Sequence, residues 1–537
     1  MSSSSKEREL KVLSFNVWGL AVVSKEKTPR IRAIAEALRG SEYDIVCLQE
    51  VWVYKDYEII RNSVSDNLPF SRFFHTGALG SGLAIFTRFP LIAAQAFPYS
   101  LSGSPAHAID GDFFVKKAAG SVVILHPVLG EVEIWNTHMH AAGENPPDTR
   151  QAHRIAESWQ LANAIRSSAA KGRYVLCMGD FNSQPWSIPI NIMRHHANMS
   201  DSYLDAHPSA NAGPSVVDAR VGVEEYGMSC DSRLNTWSAS KPIPQNITDQ
   251  GGKRLDYIFH CGPAVARRRP LIWGYRDDPD SEAEGSGGQT SYDADGWPTG
   301  DAKLEQGKSI PHSVQRAPML RCTDSRLVFT ELVPGHDFSY SDHFGLTSTF
   351  TFEHTQQNGS GINGPGPTAS ANSHESASKS TSSFTPLVPL MSTHAEPLTE
   401  ESNTYAPVMP ATSSSPSSPR TSTSRTAAQT DKSQIIRKAL ATLRDYTRIS
   451  QKGAKNHLRI FVVIVLALIG LTIGSAWQPK SWIQPIFTLL GGACGAAGAT
   501  FLYTGFVWGK WELGLLTETM EEMELELRVV EMEERPA

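Results

Sequence analysis

The sequence predicts an α/β sandwich that ends in a membrane anchor. Two observations predict it. Short apolar runs alternate with stretches of helical spacing from Lys11 to Phe352. Beyond them a long Ser/Thr/Pro-rich segment leads into two apolar runs of membrane-spanning length. At 537 residues the chain is too long for one core, so two or three regions are expected.

The elements follow in order. Lys11–Val17 reads as a strand, and Arg30–Arg39 as a helix with Ile31, Ile34, Ala35 and Leu38 on one face. Tyr43–Leu48 is a second strand that delivers Gln49 and Glu50. Arg61–Phe74 reads as partly helical. Gly80–Phe86, Ser121–Leu125 and Val132–Trp135 read as strands, the last closed by Asn136-Thr137-His138. Asp148–Ser168 is a long helix. The strand Arg173–Met178 runs into Gly179-Asp180-Phe181-Asn182-Ser183-Gln184-Pro185. Lys253–Phe259 carries Asp256, Arg326–Leu332 is a late strand, and Ser341-Asp342-His343 precedes the last one, Gly345–Phe352. Residues 262–325 are rich in Gly, Ser and Asp and read as a long insertion in a domain spanning 11–353.

From 354 to 430 the composition is Ser, Thr, Pro, Ala and Asn, which cannot bury enough apolar surface to order itself; this is a disordered linker. Residues 431–457 are basic. Spans at 458–477 and 482–509 are joined by a tight polar break, which makes a transmembrane hairpin with both flanks on one side. The basic flank assigns that side to the cytosol. Gly491, Gly492, Gly495 and Gly498 form a small-residue face suited to close helix packing, within the hairpin or in a homo-oligomer. The tail, 511–537, is acidic and helical in period and reads as a solvated face, with a partner-binding or coiled segment as the alternative.

Charge and cysteine usage narrow the class. Residues 1–353 hold 34 Lys/Arg and 40 Asp/Glu, and the remainder 15 of each, so the net charge of −6 lies on the first region. That balance argues against a nucleic-acid partner. Met1–Leu10 is polar and charged, unlike a cleavable secretory signal. Cys47, Cys177, Cys230, Cys261, Cys322 and Cys494 are scattered, and Cys47 and Cys177 sit inside apolar runs as buried thiols. A reducing, cytosol-facing setting is expected, on the endoplasmic reticulum or the mitochondrial outer membrane.

The recurring feature is a strand that ends in a chemically capable residue: Asn16, Glu50, His138, Asp180 with Asn182, Asp256, and Asp342 with His343. Taken singly each is ordinary, for Asn16 can cap a turn and Asp180 to Pro185 can be an Asx-turn. Six such ends on one sheet scaffold describe a site. Glu50 and Asn16 suit a hard cation such as Mg²⁺. His343 suits a general base, since histidine titrates near neutrality, and Asp256 suits the carboxylate that holds its ring. His138 can donate to a phosphate oxygen, and Asp180 and Asn182 can position substrate or water. The sum is metal-assisted in-line hydrolysis of a phosphoester. There is no Gly-x-x-x-x-Gly-Lys-Ser/Thr loop and no Ser or Cys with a base at a suggestive spacing.

Leu13-Ser14-Phe15-Asn16-Val17-Trp18-Gly19, Leu48-Gln49-Glu50, Asn136-Thr137-His138, Gly179-Asp180-Phe181-Asn182, Arg254-Leu255-Asp256-Tyr257 and Ser341-Asp342-His343 resemble the endonuclease/exonuclease/phosphatase superfamily. The resemblance covers 11–353 and implies a four-layered α/β sandwich with Mg²⁺-dependent phosphoester hydrolysis. Ser81–Pro90, Gly111–Ala118 and Thr137-His138-Met139-His140-Ala141 look most like the neutral sphingomyelinases and the fungal inositol phosphosphingolipid phospholipases C. That likeness implies Glu50 as Mg²⁺ ligand, His343 as proton acceptor and Asp180 in substrate recognition. It also implies that Asp112 and Lys117 belong to a segment tied to activation by anionic phospholipid. The expected substrate is a membrane sphingolipid, cleaved to ceramide and a phosphorylated headgroup. An inositol polyphosphate phosphatase is the alternative, although that group's Asn-Tyr-Arg after Gly-Asp-Leu is absent and Ser183-Gln184-Pro185 follows Asn182 here; a membrane-bound nuclease and an inactive scaffold on the same fold come after it.

Overall fold

Strands that carry apolar side chains on both faces need cover on both faces. Along β1 (Glu9–Asn16), Leu10 and Val12 enter one buried cluster while Leu13 and Phe15 enter another. This is why the strands read as unbroken apolar runs rather than as an alternation. The computed structural model describes residues 9–353 and 423–534, apart from 22, 79, 104, 106–114, 142–147 and 264–317.

After β1 come α1 (Lys27–Arg39), β2 (Ile45–Gln49), α2 (Tyr54–Ser63), β3 (Phe70–Phe74), β4 (Leu83–Thr87) and β5 (Leu91–Pro98). Then follow β6 (Ala118–His126), β7 (Gly130–His138), α3 (Gln151–Ala170), β8 (Tyr174–Asp180), several short helices with β9 (Ser200–Asp201), β10 (Asp256–Cys261), β11 (Met319–Val328) and β12 (Gly345–Glu353). They form two six-stranded sheets, β11-β12-β1-β2-β4-β3 and β5-β6-β7-β8-β10-β9. One cluster fills the space between the sheets, with Val12, Cys47 and Ile85 against Val122, Ile134, Leu176 and Met178. A second joins Phe15, Val46 and Leu48 to Ile31, Ile34, Leu38 and Ile60 of α1 and α2. A third joins Trp135, Val175, Cys177 and Phe259 to Ile155, Trp159 and Ile165 of α3. Three buried interfaces make four layers, helix on sheet on sheet on helix.

Some boundaries differ from the sequence reading. Helix does not run through 61–74: α2 ends at Ser63, and after Leu68-Pro69 the chain pairs with β4 as β3. β11 starts at Met319, so residues 319–325 belong to the sheet and not to the insertion. Residues 264–317 of that insertion, the linker up to residue 422 and Asp112 lie outside the described residues.

The C-terminal region is three long helices, α4 (Thr423–Gly474), α5 (Gln484–Leu502) and α6 (Gly509–Glu534). Helix therefore begins at Thr423, inside the expected linker. Two stretches, Asp431–Trp477 and Ser481–Met532, contain helix long and apolar enough to cross a membrane. The acidic tail is not a solvated face. Leu516, Met523 and Val530 are buried at seven-residue spacing, as are Ser433, Ile436, Leu440 and Leu443 at alternating three and four. Ser450 donates to Glu512, and Arg437 pairs with Glu531, so α4 and α6 run antiparallel. Most of these apolar residues join the cluster over α3.

The contact is also polar. Trp159 Nε1 donates to Glu522 at 2.9 Å, while Glu526 meets Lys432 at 2.5 Å and Arg166 at 3.1 Å. Burial alone would raise the Glu526 carboxyl, but these two cations hold it down at about 2. The basic segment thus spends Lys432, Arg437 and Arg444 on the tail's acids. Glu526→Lys replaces an acceptor for two cations with a third cation. Amide exchange across α6 is expected to rise by about tenfold or more; an unchanged rate there would contradict this account of the docking.

Candidate active site

The functional strand ends fall in register. Asp180 on β8 lies opposite His138 on β7 and opposite Asp256 on β10, so three neighbouring strands deliver one row. In the other sheet Asn16 pairs with Gln49, and Glu50 follows. Gln49 ties the sheets together by donating to Asn136 Oδ1 at 2.8 Å, and Asn136 Nδ2 donates to the carbonyls of Leu48 and Ala84. Two glycines make the close approaches. A Cβ on Gly179, at φ +147°, would lie 2.0 Å from the Thr137 oxygen, and one on Gly19 would lie 2.4 Å from the Glu50 oxygen. Glu50 and Asn182 hold positive φ, at 59° and 46°, a strain that well-packed neighbours must sustain.

The side chains form one continuous polar chain. Asn16 Nδ2 donates to Glu50 Oε1 and to Asp180 Oδ2, both at 3.0 Å. Asp180 Oδ2 is 3.8 Å from His343 Nε2 and 3.7 Å from His138 Nε2. His343 Nδ1 meets Asp256 Oδ2 at 2.8 Å, and Ser229 Oγ donates to that same oxygen at 2.6 Å. Burial pushes the Asp180 carboxyl up to about 7, with Asp256 adding repulsion against the pull of His343. For His343, burial opposes the charge, but Cys230, Asp256 and Asp180 outweigh it and raise the ring well above its ordinary value. A carboxylate bonded to one ring nitrogen, with the other nitrogen turned to the centre of the site, is the arrangement of an oriented general base.

Several expected residues occupy different posts. Asn16, expected to ligate metal beside Glu50, turns its amide nitrogen to the two carboxylates, because its oxygen accepts from the Trp18 backbone N–H at 3.0 Å. His138 stands beside a second cation. Lys117 Nζ lies 2.9 Å from its Nε2, and burial, Lys117 and His343 hold the ring neutral. Lys117 therefore brings the positive charge to this side. Asn182 Nδ2 donates to the Met139 carbonyl, which ties the segment after β7 to the turn after β8. Asp342 is partly buried, its carboxyl raised by burial against the pull of His343, and its Oδ2 lies 3.8 Å from Lys241 Nζ.

Sequence reading missed two supports. Ser229 fixes Asp256 and carries no motif that marks it. Arg30 is buried and donates to the carbonyls of Val17, Trp18 and Tyr340, joining the Asn16 loop to the one before His343. Its signal was an arginine on the apolar stripe of α1.

The donor set fits a divalent cation. Glu50, Asp180 and Asp256 bring three carboxylates to the site, and Asp256 Oδ1 is buried with no hydrogen-bond partner among the described residues. Asp180, Asp256 and His343 lie within 4.8 Å of one another. Glu50 joins this group through Asn16, whose amide donates to both Glu50 and Asp180 at 3.0 Å.

Residues 13–343 match the model of the Endonuclease/Exonuclease/phosphatase family. The chain is 41% identical over 262 residues to inositol phosphosphingolipids phospholipase C of Schizosaccharomyces pombe, covering 48% of this chain and 61% of that one. It is 31% identical over 376 residues to the protein of the same name in Saccharomyces cerevisiae, covering 65% of each. It is 31% identical over 253 residues to sphingomyelin phosphodiesterase 2 of Homo sapiens, covering 47% of this chain and 55% of that one. The matched region thus spans less than two thirds of each of these relatives. Among solved structures, that of truncated Caenorhabditis elegans TDP2 aligns with a TM-score of 0.40 at 16% identity, over 64% of this chain and 98% of that one.

Proposed function

The chain belongs to the endonuclease/exonuclease/phosphatase family, and from that premise we propose that it is a Mg²⁺-dependent phospholipase C of phosphosphingolipids, releasing ceramide and a phosphorylated headgroup. The observation that carries the reading is the polar chain from Glu50 through Asn16, Asp180 and His343 to Asp256. Relatives named for this activity support the substrate class. So does the packing of the site's own domain against two helices apolar enough to span a bilayer. The basic residues before the first span favour a cytosolic side for the domain. Gly492 and Gly495, where an added Cβ meets nothing within 4 Å, leave room for a second hairpin.

In this reading His343 Nε2 takes a proton from the attacking water while Asp256 fixes the tautomer through Nδ1 and balances the imidazolium. The water oxygen bonds to phosphorus, the phosphorus–oxygen bond to ceramide breaks in line, and the ceramide oxygen takes up a proton. Lys117, steadied by His138, faces the charge of the phosphate. Asp180 orients the water and substrate, and Asn182 holds the turn that carries it. Glu50 would hold Mg²⁺, which would supply positive charge to offset the negative charge that develops on the phosphoryl group.

The raised His343 ring must lose its proton before it can act, so kcat/KM is expected to rise with pH on an acid limb. Asp256 is one of the groups that raise the ring. Asp256→Asn should therefore move that limb to lower pH while also lowering kcat. A limb that stays in place would remove His343 as its source.

The assay for the reading is hydrolysis by the full chain in detergent micelles, with Mg²⁺ or excess chelator. Inositol phosphoceramide, sphingomyelin and a soluble inositol polyphosphate are compared. Mg²⁺-dependent ceramide release supports it, and the better lipid names the headgroup. Phosphate release from the soluble compound, with both lipids untouched, overturns it.

A further inference from the structure

The rim of the site beside Asp342 carries two indole rings and two cations. Trp18 follows the Asn16 strand end, and the next residue, Gly19, donates its N–H to the Glu50 carbonyl at 3.0 Å. The Trp237 ring lies 5.4 Å from that of Trp18. The Arg30 guanidinium lies 4.8 Å over the Trp18 ring and 5.8 Å over the Trp237 ring. The Lys241 ammonium lies 6.0 Å over the Trp18 ring. Trp18 holds φ at 48°, a rare backbone for so large a side chain, and Arg30 fixes it by donating to the carbonyls of Val17 and Trp18.

The segment that carries Lys241 is clamped to the loop that carries His343. Asn235 Nδ2 donates to the Ser341 carbonyl at 2.8 Å, and Trp237 Nε1 donates to the Ser339 carbonyl at 2.9 Å. Arg233 Nη1 donates to the Lys241 carbonyl at 3.0 Å. From there Lys241 Nζ reaches to 3.8 Å from Asp342 Oδ2, with its side chain half-exposed. Asp342 precedes His343 in the chain, and its carboxyl feels the charges of His343, Glu50, Lys241 and Arg30. Lys241 thus stands at the edge of the catalytic centre without a part in the hydrolysis itself.

The two sides of the site differ. Lys117 has Lys116 beside it, 5.7 Å over the Trp511 ring of α6. The side at Lys117 therefore adjoins the membrane helices, where the ceramide half belongs, and the side at Asp342 is left for the headgroup. A quaternary ammonium such as that of choline is recognised by aromatic faces and by carboxylates. Here Trp18 bears Arg30 and Lys241, Trp237 bears Arg30, and Asp342 faces Lys241. A choline group would have to displace Lys241 from both the ring and the carboxylate. A ring of hydroxyls carries no charge to be repelled and offers acceptors to the N–H groups of the ammonium.

We propose that Lys241 selects the headgroup, admitting an uncharged polyol such as inositol on the phosphate and turning away the choline cation. It does so by occupying the aromatic face and the carboxylate that the cation needs, so that exclusion contributes as well as contact. The proposal rests on the phosphosphingolipid reading above and names the headgroup within it.

The test measures kcat/KM for inositol phosphoceramide and for sphingomyelin in detergent micelles, with the full chain and Mg²⁺. The wild-type chain should prefer inositol phosphoceramide by about tenfold or more. Lys241→Ala frees the Trp18 face and Asp342, so sphingomyelin hydrolysis should rise several-fold while that of inositol phosphoceramide falls by about tenfold. Lys241→Met keeps a stem over Trp18 and loses the charge; it should move the two rates in the same directions and serves if alanine loosens the loop. Lys241→Arg should keep the wild-type order. Opposite changes on two substrates do not arise from a general loss of structure. A wild-type preference for sphingomyelin, or rates that stay level or fall equally on both lipids in the alanine and methionine variants, would overturn the proposal. If the wild-type chain cleaves neither lipid, the functional reading fails by itself, and calorimetry with inositol 1-phosphate and phosphocholine decides the proposal. Tighter binding of the inositol compound, reversed in Lys241→Met, supports it; equal or absent binding of both overturns it.

Discussion

His343→Ala is expected to lower kcat for lipid phosphodiester hydrolysis by about 10³-fold, within the usual worth of a positioned general base. The substitution removes the ring that lies between Asp180 and Asp256, with Nε2 at 3.8 Å from one and Nδ1 at 2.8 Å from the other. It leaves the Glu50–Asn16–Asp180 side intact, so KM and the Mg²⁺ requirement should change little. Exogenous imidazole in the space left by the ring should restore part of the rate. Steady-state kinetics on micellar substrate reads all three. Retention of more than about a tenth of the wild-type rate would show that another group takes the proton.

Glu50→Gln is expected to affect the opposite end of the chain. Glu50 Oε1 accepts from Asn16, and Oε2 accepts from Trp52 Nε1 at 3.3 Å, so an amide of the same shape keeps the packing and loses the charge. If Glu50 is the carboxylate that holds Mg²⁺, the concentration for half-activation should rise by about 100-fold or more. Asp256→Asn should leave that concentration nearly unchanged. Titration of Mg²⁺ against activity, with calorimetry on the same variants, separates the two cases. A Mg²⁺ dependence that follows Asp256 instead would move the metal to the His343 side.

The fold was legible where packing is simple. Strands buried on both faces left runs such as Tyr174-Val175-Leu176-Cys177-Met178, and the residues at their ends stood out by contrast. The edge strand β5 left no such signal, since most of its residues are exposed. β3 was hidden because its pairing to β4, and not its composition, makes it a strand. The tail was misread for a related reason. Its many glutamates suggested a solvated face, while the heptad Leu516, Met523, Val530 ran beneath them and only the partner helix gives it meaning.

At the site, residue types were legible and their posts were not. Asn16 and His138 were recognised as polar strand ends. Which atom each presents depends on a backbone N–H two residues away and on Lys117, whose strand β6 is paired with β7. Ser229 and Arg30 act by holding other groups, and such supports announce themselves only in three dimensions.

The most direct test is to turn over inositol phosphoceramide or sphingomyelin in ¹⁸O-labelled water with the full chain and Mg²⁺, and to weigh both products. Water activated by His343 attacks phosphorus, so one ¹⁸O should appear in the phosphorylated headgroup and none in the ceramide hydroxyl. Label in the ceramide, or Mg²⁺-dependent turnover that yields no ceramide, would contradict the account.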